Sequence, residues 1–459
     1  MRPENSEPAK KKVPANKAEL AKKVESDKKM ESAKRTEPVK KTEPAKRTEP
    51  AKKTANCPYH NKCGGCLYSE MDYAEQLGRK ERKVRKLLER FGTVHPITGA
   101  EHPFHYRNKC TATFGFRNGK MICGVYEKGT HKVVNVDRCL IEDERAGRIV
   151  HTVRELCVSF KIKSYDEDSG FGLLRHVMVR TGRKTGQIMV ILVTASPVFP
   201  GSRNFVAALM KKCPEITTVV QSINRERTSM VLGSQEKVLY GKGFIEDELC
   251  GLKFRISAAS FYQVNPEQTE RLYGKAVELA GLTGKETLLD AYCGIGTIGL
   301  IAAKSAGEVI GVELNPDAVR DAIRNAKANG ITNVTFYRND AGVFLENLAA
   351  SGKKLDVVVM DPPRSGSTPV FIKSVCTAKP KRIVYVSCNP ETQARDLQEF
   401  KRYGYFMQEA WPFDQFPLTE HIETVVLLGR KNIKPKTSVK LDLDMEDYYR
   451  IKDAEKGQE

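Results

Sequence analysis

The 459-residue chain reads as an α/β protein, with a doubly wound sheet over residues 251–432, a smaller α+β module at 55–250 and a basic tail at 1–54. Three observations predict that division. After Ser260, apolar strand-length runs alternate with helical segments, the pattern of a parallel sheet covered on both faces. Between Ala112 and Leu192, short alternating runs are separated by Gly-containing turns, the pattern of antiparallel pairing. Residues 1–56 hold little apolar content and repeat as RTEPVK, KTEPAK and RTEPAK over Arg35–Lys52, which cannot build a core.

The tail carries 17 Lys and Arg against 9 Asp and Glu, which is +8 of the formal +19. It is expected to be disordered, extended around its prolines, and at most a weak electrostatic tether. The body keeps the remaining +11, which points to a polyanionic partner, since Lys and Arg gain affinity by releasing counterions from phosphates. A solubilising surface explains the same charge equally well. No run of 18 or more apolar residues is present, and the Lys-rich N-terminus has no apolar segment behind it. Neither a membrane span nor a secretory leader is read, and the expected compartment is the cytoplasm. Twelve cysteines, several in pairs too close to bridge, fit metal or catalytic thiols better than a disulfide scaffold.

Order is expected from Asn56. Cys57, Cys63 and Cys66 lie in CPYHNKCGGC as C-x5-C-x2-C, and the glycine pair lets three sulfurs converge. Three thiolates need a fourth ligand. Cys139, in VDRCLI at 136–141, is the first choice because it follows a strand-like run at the end of a turn; Cys110 and Cys123 compete with it. Four cysteines suit a 4Fe–4S cluster or tetrahedral zinc, since both are held by thiolate. The absence of a second C-x2-C pair favours iron–sulfur. From Tyr73 to Phe91 the apolar positions Tyr73, Leu77, Val84, Leu87, Leu88 and Phe91 recur at helical spacing among many Lys and Arg, predicting an amphipathic helix with a basic face. Beyond it Ala112–Phe116, Lys132–Val136, Met178–Arg180 and Gln187–Leu192 read as short strands, and the module ends near Gly251.

The sheet that follows is read from Thr287–Ala291, Val309–Glu313, Val334–Tyr337, Val357–Met360, Arg382–Ser387 and Glu423–Leu428; residues after Gly429 turn polar, and 433–459 reads as a tail. Ligands of such sheets bind at the carboxyl ends of the strands. There LLDAYCGIGTIGLI at 288–301 places Gly294 and Gly296 in a tight turn before a helix starting near Thr297, whose first N–H groups are unpaired. Glu313 ends the next strand, where a carboxylate suits ribose hydroxyls. Gly299 completes a dinucleotide fingerprint and leaves a nicotinamide cofactor formally open. Against that, Asp340 and Asp361-Pro362-Pro363 end the third and fourth strands, as in a methyltransferase sheet. Cys388, in VYVSCNP at 384–390, stands over the same edge. A cysteine in an α/β core is more often inert packing, but DPPRSG at 361–366 stiffens a neighbouring loop and brings Arg364. Glu423 precedes an apolar run and, taken alone, is equally a strand-end surface carboxylate.

Together CPYHNKCGGC with a later cysteine, SFYQVN at 260–265, DAYCGIGTIGL at 290–300, DPPRSG, SCNP and HIETVVLL at 421–428 resemble the RNA uracil-C5-methyltransferases, over roughly Cys57 to Gly429. The resemblance implies a Rossmann-like S-adenosylmethionine-dependent domain and a 4Fe–4S cluster on Cys57, Cys63, Cys66 and Cys139. It implies cofactor contacts from Gln263, Tyr292, Glu313, Asp340 and Asp361, with Cys388 as nucleophile and Glu423 as proton-abstracting base. The partner it implies is RNA, ribosomal RNA before transfer RNA, because the cluster is more typical of the ribosomal enzymes. Members commonly begin with a small RNA-binding β-barrel; here those positions hold the Lys/Glu/Pro tail, so RNA grip is expected from the cysteine module, the basic helix and the tail.

That chemistry meets a physical need. C5 of uracil is a poor nucleophile until a thiolate adds to C6, and a base must then remove the C5 proton to release the enzyme. A stacked pyrimidine admits neither thiolate nor methyl donor, so the base must be flipped out. RNA cytosine-C5 methylation is a rival, but it typically pairs two active-site cysteines and the DPPR loop has none. Amino-group methylation usually follows its D/N-P-P with an aromatic, where Arg364 stands here. A non-catalytic RNA-binding factor is the rival from another class, and the presence of both Cys388 and Glu423 argues against it.

Overall fold

Apolar patterning sorts the described residues into two large sheets, of seven and eight strands, that share a buried layer with a separate two-stranded sheet. The computed structural model describes residues 57–226 and 230–430, so the tails read at 1–54 and 433–459 lie outside the described residues. The first part runs α1 (His60–Cys63), α2 (Tyr73–Leu88), β1 (Thr93–Val94), β2 (Lys109–Arg117), β3 (Lys120–Tyr126), β4 (Val133–Asn135), α3 (Glu144–Ser159), β5 (Leu174–Thr181), β6 (Ile188–Thr194), α4 (Ser202–Lys212), β7 (Thr218–Ile223), β8 (Gln235–Tyr240), β9 (Phe244–Leu249) and β10 (Leu252–Ser257). The second runs α5 (Pro266–Ala280), β11 (Thr287–Ala291), α6 (Thr297–Ala303), β12 (Glu308–Glu313), α7 (Pro316–Ala328), β13 (Val334–Arg338), α8 (Ala341–Ala350), β14 (Val357–Met360), α9 (Pro369–Thr377), β15 (Arg382–Ser387), α10 (Pro390–Arg402), β16 (Tyr405–Phe413) and β17 (Glu423–Arg430).

The first sheet, ordered β4-β3-β2-β5-β6-β7-β8, is antiparallel except for the parallel β6–β7 pair. Successive side chains of a strand point to opposite faces. On one face Val177, Val179, Val190 and Leu192 meet Ile149 and Val153 of α3 and Phe205 of α4. On the other, Met178, Met189, Ile191 and Val193 join a core with Phe254 of β10, Leu272 of α5 and Ile298 of α6. Burial on both faces explains why IMVILVT is continuously apolar rather than alternating.

The second sheet is ordered β1-β16-β17-β15-β14-β11-β12-β13. Strands β11 to β15 are parallel, as the alternating pattern predicts, but β17 enters antiparallel between β15 and β16. Residues 414–422, which join β16 to β17, are too few for a crossover, which takes a dozen or more residues, so the strand returns antiparallel. Strand β16 is not read in the sequence, because a register shift at Met407/Glu409 breaks its alternation. The turn Cys250-Gly251 joins β9 to β10, so the boundary read at 250 falls inside a hairpin, and β1 pairs with β16.

Helices α5, α7, α9 and α10 open on Asn265-Pro266, Asn315-Pro316, Thr368-Pro369 and Asn389-Pro390, each cap side chain accepting a backbone N–H. Those caps fix where the chain turns at the carboxyl edge of the sheet. Among the described residues no helix is long and apolar enough to cross a membrane.

Candidate active site

Strand β11 lies between β12 and β14, so the chain reverses its direction of winding beside it and leaves a crevice at the carboxyl ends. Tyr292 (φ 65°), Gly294 (φ 56°) and Gly296 (φ 83°) form the left-handed turn there, and Gly296 caps α6 without a side-chain hydrogen bond, leaving its first N–H groups facing the crevice. A Cβ at 294 would meet no atom within 4 Å, so this glycine opens a cradle. Gly299 serves packing instead: its N–H donates to Asp290 Oδ2 at 2.7 Å, and a Cβ there would lie 2.8 Å from that oxygen.

Glu313 ends β12, its Oε2 accepting from the Gly294 N–H at 3.1 Å and its Oε1 from the Asn315 N–H at 2.8 Å. Asp340 caps α8, Oδ1 accepting from Gly342 and Val343. Gln263 is buried, its side chain hydrogen-bonded to the Tyr273 hydroxyl, and its carbonyl accepts from Asn108 Nδ2 at 3.1 Å. Asp361 follows β14, and burial pushes its carboxyl up to about 7. The fold therefore carries Tyr292, Glu313, Asp340 and Asp361 to one edge, with Gln263 tied to it through Tyr273, which also feels the charge of Asp361. Helix-terminal N–H groups, a glycine cradle and strand-end carboxylates fit a nucleoside cofactor, and the acidic floor fits one bearing a positive charge.

The register of β15 with β17 pairs Ser387 with Thr424, so one step further Cys388 stands beside Glu423. Thr424 Oγ1 donates to Gln393 Oε1 at 2.6 Å and Gln393 Nε2 to the Tyr385 carbonyl at 3.1 Å, locking α10 to this strand end. Cys388 is half-buried; burial, then Glu423 and Asp361, push its thiol up to about 12, while Arg364 pulls the other way. Glu423 is 2 % exposed, its Oε2 has no hydrogen-bond partner, and burial with Asp361 raises its carboxyl well above the usual range. Arg364 Nη2 lies 2.8 Å from His421 Nδ1. Arg can only donate, so that nitrogen is the acceptor and His421 is neutral, as its lowered acidity range under burial and Arg364 also indicates. The edge thus holds a thiol and two carboxyl groups under the influence of one guanidinium.

Away from this edge, Cys57, Cys63, Cys66 and Cys139 line one small cavity with Val136, Leu140 and Leu418. Cys110 and Cys123 are buried in the core of the first sheet instead. Burial pushes Cys66 up to about 12, and the neighbouring Cys63 and Cys57 add to it; Cys139 reaches about 12 through burial and Glu142. Such mutual resistance to ionisation is what a bound cation relieves, and an all-sulfur donor set fits a soft metal group. Among the described residues, the one set of three metal-binding atoms within 4.8 Å of one another is Glu101, His102 and Glu267. No three of the four sulfurs lie within 4.8 Å of one another.

Two contributors escape the sequence reading. Asp290 is buried beneath the glycine turn, its carboxyl raised to about 7 by burial; its place in DAYCGIG is the signal that marks it. Lys80, counted there among the surface charges of the basic helix, is fully buried and paired with Asp414 at 2.5 Å. Its i+4 relation to buried Gln76 and Val84 is the signal for that.

The fold and this edge define an S-adenosylmethionine-dependent methyltransferase. Residues 72–431 match the model of the tRNA (uracil-5-)-methyltransferase family, and the chain belongs to that family. It is similar to an uncharacterized RNA methyltransferase of Halalkalibacterium halodurans, 44 % identical over 383 residues covering 82 % of this chain and 84 % of the relative. An uncharacterized RNA methyltransferase of Bacillus cereus is 43 % identical over 381 residues, 82 % of this chain and 83 % of the relative. Among solved structures, the Pyrococcus abyssi tRNA (uracil-54, C5)-methyltransferase in complex with S-adenosyl-L-homocysteine superposes with a TM-score of 0.67 at 28 % identity, over 79 % of this chain and 85 % of that one. The protein is an RNA methyltransferase.

Proposed function

We propose that this enzyme methylates C5 of a uridine in RNA, with Cys388 adding to C6 and Glu423 removing the C5 proton. The observation that carries the reading is the meeting of these two groups at the β15–β17 strand end, beside a crevice suited to a nucleoside. S-adenosylmethionine supplies an electrophilic methyl group, and Gln263, Tyr292, Glu313, Asp340 and Asp361 are the residues that hold it. The Cys388 sulfur bonds to C6 of the flipped uracil, and the displaced electron pair makes C5 nucleophilic toward that methyl. Glu423 then takes the C5 proton, and the returning pair expels Cys388 as thiolate. Burial disfavours the ionised form of both groups; a positive charge entering the crevice, together with Arg364, favours release of their protons to solvent before the sulfur adds and the carboxylate takes the C5 proton.

Ribosomal RNA is the proposed target and a 4Fe–4S cluster the group held by Cys57, Cys63, Cys66 and Cys139; four thiols lining one small cavity support a thiolate-held metal group there. Transfer RNA is the second reading, favoured by the likeness to the Pyrococcus abyssi enzyme, which acts on tRNA. RNA containing 5-fluorouridine, which has no C5 proton to lose, should trap a covalent complex; Cys388→Ala should abolish it, and an undiminished adduct refutes the assignment. Nucleoside mapping of ribosomal and transfer RNA from cells lacking the protein separates the two targets.

A further inference from the structure

A cavity of about 980 Å³ opens on the first sheet, between the β2–β3 hairpin, the C-terminal end of α3 and the loop after it, and the methyl-transfer edge uses none of its residues. Its rim residue Phe116 lies eight residues along the chain from Asn108, which precedes β2 and touches Gln263, or roughly 26 Å at about 3.3 Å per residue. Two aromatic side chains stand at its rim with most of their surface in solvent, Phe116 at 70 % and Phe171 at 78 % exposure.

Neither is a loose end. Phe116 pairs with Met121 in a hairpin closed by Asn118 (φ 51°) and Gly119 (φ 75°), a rigid two-residue turn. Phe171 closes a second hairpin: its carbonyl accepts from the Asp166 N–H at 2.8 Å, Gly170 N–H donates to the Asp166 carbonyl at 2.9 Å, and Asp166 Oδ1 accepts from Ser169 N–H and Oγ. The charges around them are unbalanced. Lys120, Lys161 and Lys163 line the cavity, are exposed, and have no ion-pair partner among the described residues. Of the cavity's two acids, Glu155 is paired with Lys212 at 2.9 Å, while Asp166 keeps its charge beside Ser169, so three free lysines face one free carboxylate in the lining.

Fixed aromatic faces beside unpaired cations are what single-stranded nucleic acid requires, since bases stack on the rings and phosphates meet the ammonium groups. We propose that this groove binds an unpaired stretch of the RNA substrate away from the target uridine, with Phe116 and Phe171 as stacking surfaces and Lys120, Lys161 and Lys163 as phosphate contacts. The proposal rests on RNA being the substrate, but not on which atom is methylated.

The test is fluorescence anisotropy with a labelled single-stranded oligouridine and with an RNA duplex of equal length, using the full chain. Phe116→Ala/Phe171→Ala should weaken oligouridine binding about tenfold or more, by the usual strength of base–aromatic stacking, and leave duplex binding unchanged. Lys120→Gln/Lys161→Gln/Lys163→Gln should lower the slope of log affinity against log salt by about 2, at about 0.7 for each single-strand phosphate contact. Both variants should keep the melting temperature and the affinity for S-adenosylmethionine of the parent. Oligouridine affinity unmoved by the aromatic changes overturns the proposal, as does equal loss on the duplex. Persistence of the groove effect in an enzyme that forms no 5-methyluridine would discredit the reaction assigned above and leave the groove standing.

Discussion

The Glu423 carboxylate opposes the Cys388 thiolate, so the ionisation of that thiol depends on the state of its neighbour. Alkylation of Cys388, followed by mass spectrometry of its peptide, should be slow at pH 7 and accelerate only in strongly alkaline solution. Glu423→Gln should move that acceleration to lower pH, since it removes a carboxylate that opposes the thiolate. Asp361 makes a separate prediction about stability. Its folded-state value of about 7 lies above the unfolded value near 4, so the folded chain keeps a proton that the unfolded chain has released. The stability this contributes is complete below about pH 4 and is lost as pH rises through about 7. Asp361→Asn should therefore raise the melting temperature increasingly between pH 4 and pH 7, with the gain level above that, while weakening cofactor binding. The position of Cys388 at the carboxyl edge is legible in the sequence because SCNP follows a strand and opens a helix. Its protonation is not legible, since the opposing carboxylates come from residues 361 and 423.

At the scale of elements, the segment 414–422 leads directly into Glu423, and α2 is what holds it. Lys80 Nζ bonds Asp414 Oδ1 at 2.5 Å and the Phe416 carbonyl at 3.0 Å; Tyr73 OH donates to Asp414 Oδ2 at 2.8 Å; the Leu418 N–H donates to Gln76 Oε1 at 3.0 Å. Removing one partner of a buried ion pair leaves the other charge uncompensated. Lys80→Met should destabilise the protein by about 3–5 kcal/mol in denaturant unfolding, and Lys80→Met/Asp414→Leu should recover most of that. Hydrogen exchange of 414–422 should quicken in the single variant. The helical spacing of Tyr73 to Phe91 is enough to predict the helix, but not that its most important cation faces inward, because Asp414 lies more than three hundred residues away in sequence.

For the whole molecule, the cysteine cavity and the methyl-transfer edge are linked by that same segment. Leu418 lines the cavity, and its carbonyl accepts from the Tyr68 N–H at 3.0 Å in the cysteine-bearing segment. Loss of the metal group proposed for these four cysteines should thus loosen the approach to Glu423. Purified anaerobically, the protein should be brown and carry iron; Cys66→Ser should lose both colour and iron and melt at lower temperature. Stoichiometric zinc in place of iron would refute the cluster.

Local chemistry already determined the parallel strands β11 to β15, the glycine turn and the cap-Pro helix starts, because each is written in a short stretch of chain. Pairing between distant segments decided the rest. The antiparallel insertion of β17, the unread β16 and the burial of Lys80 depend on partners that no local pattern names. The same holds for the convergence of Cys139 on Cys57, Cys63 and Cys66, because a side chain's environment is set by whatever the fold brings against it.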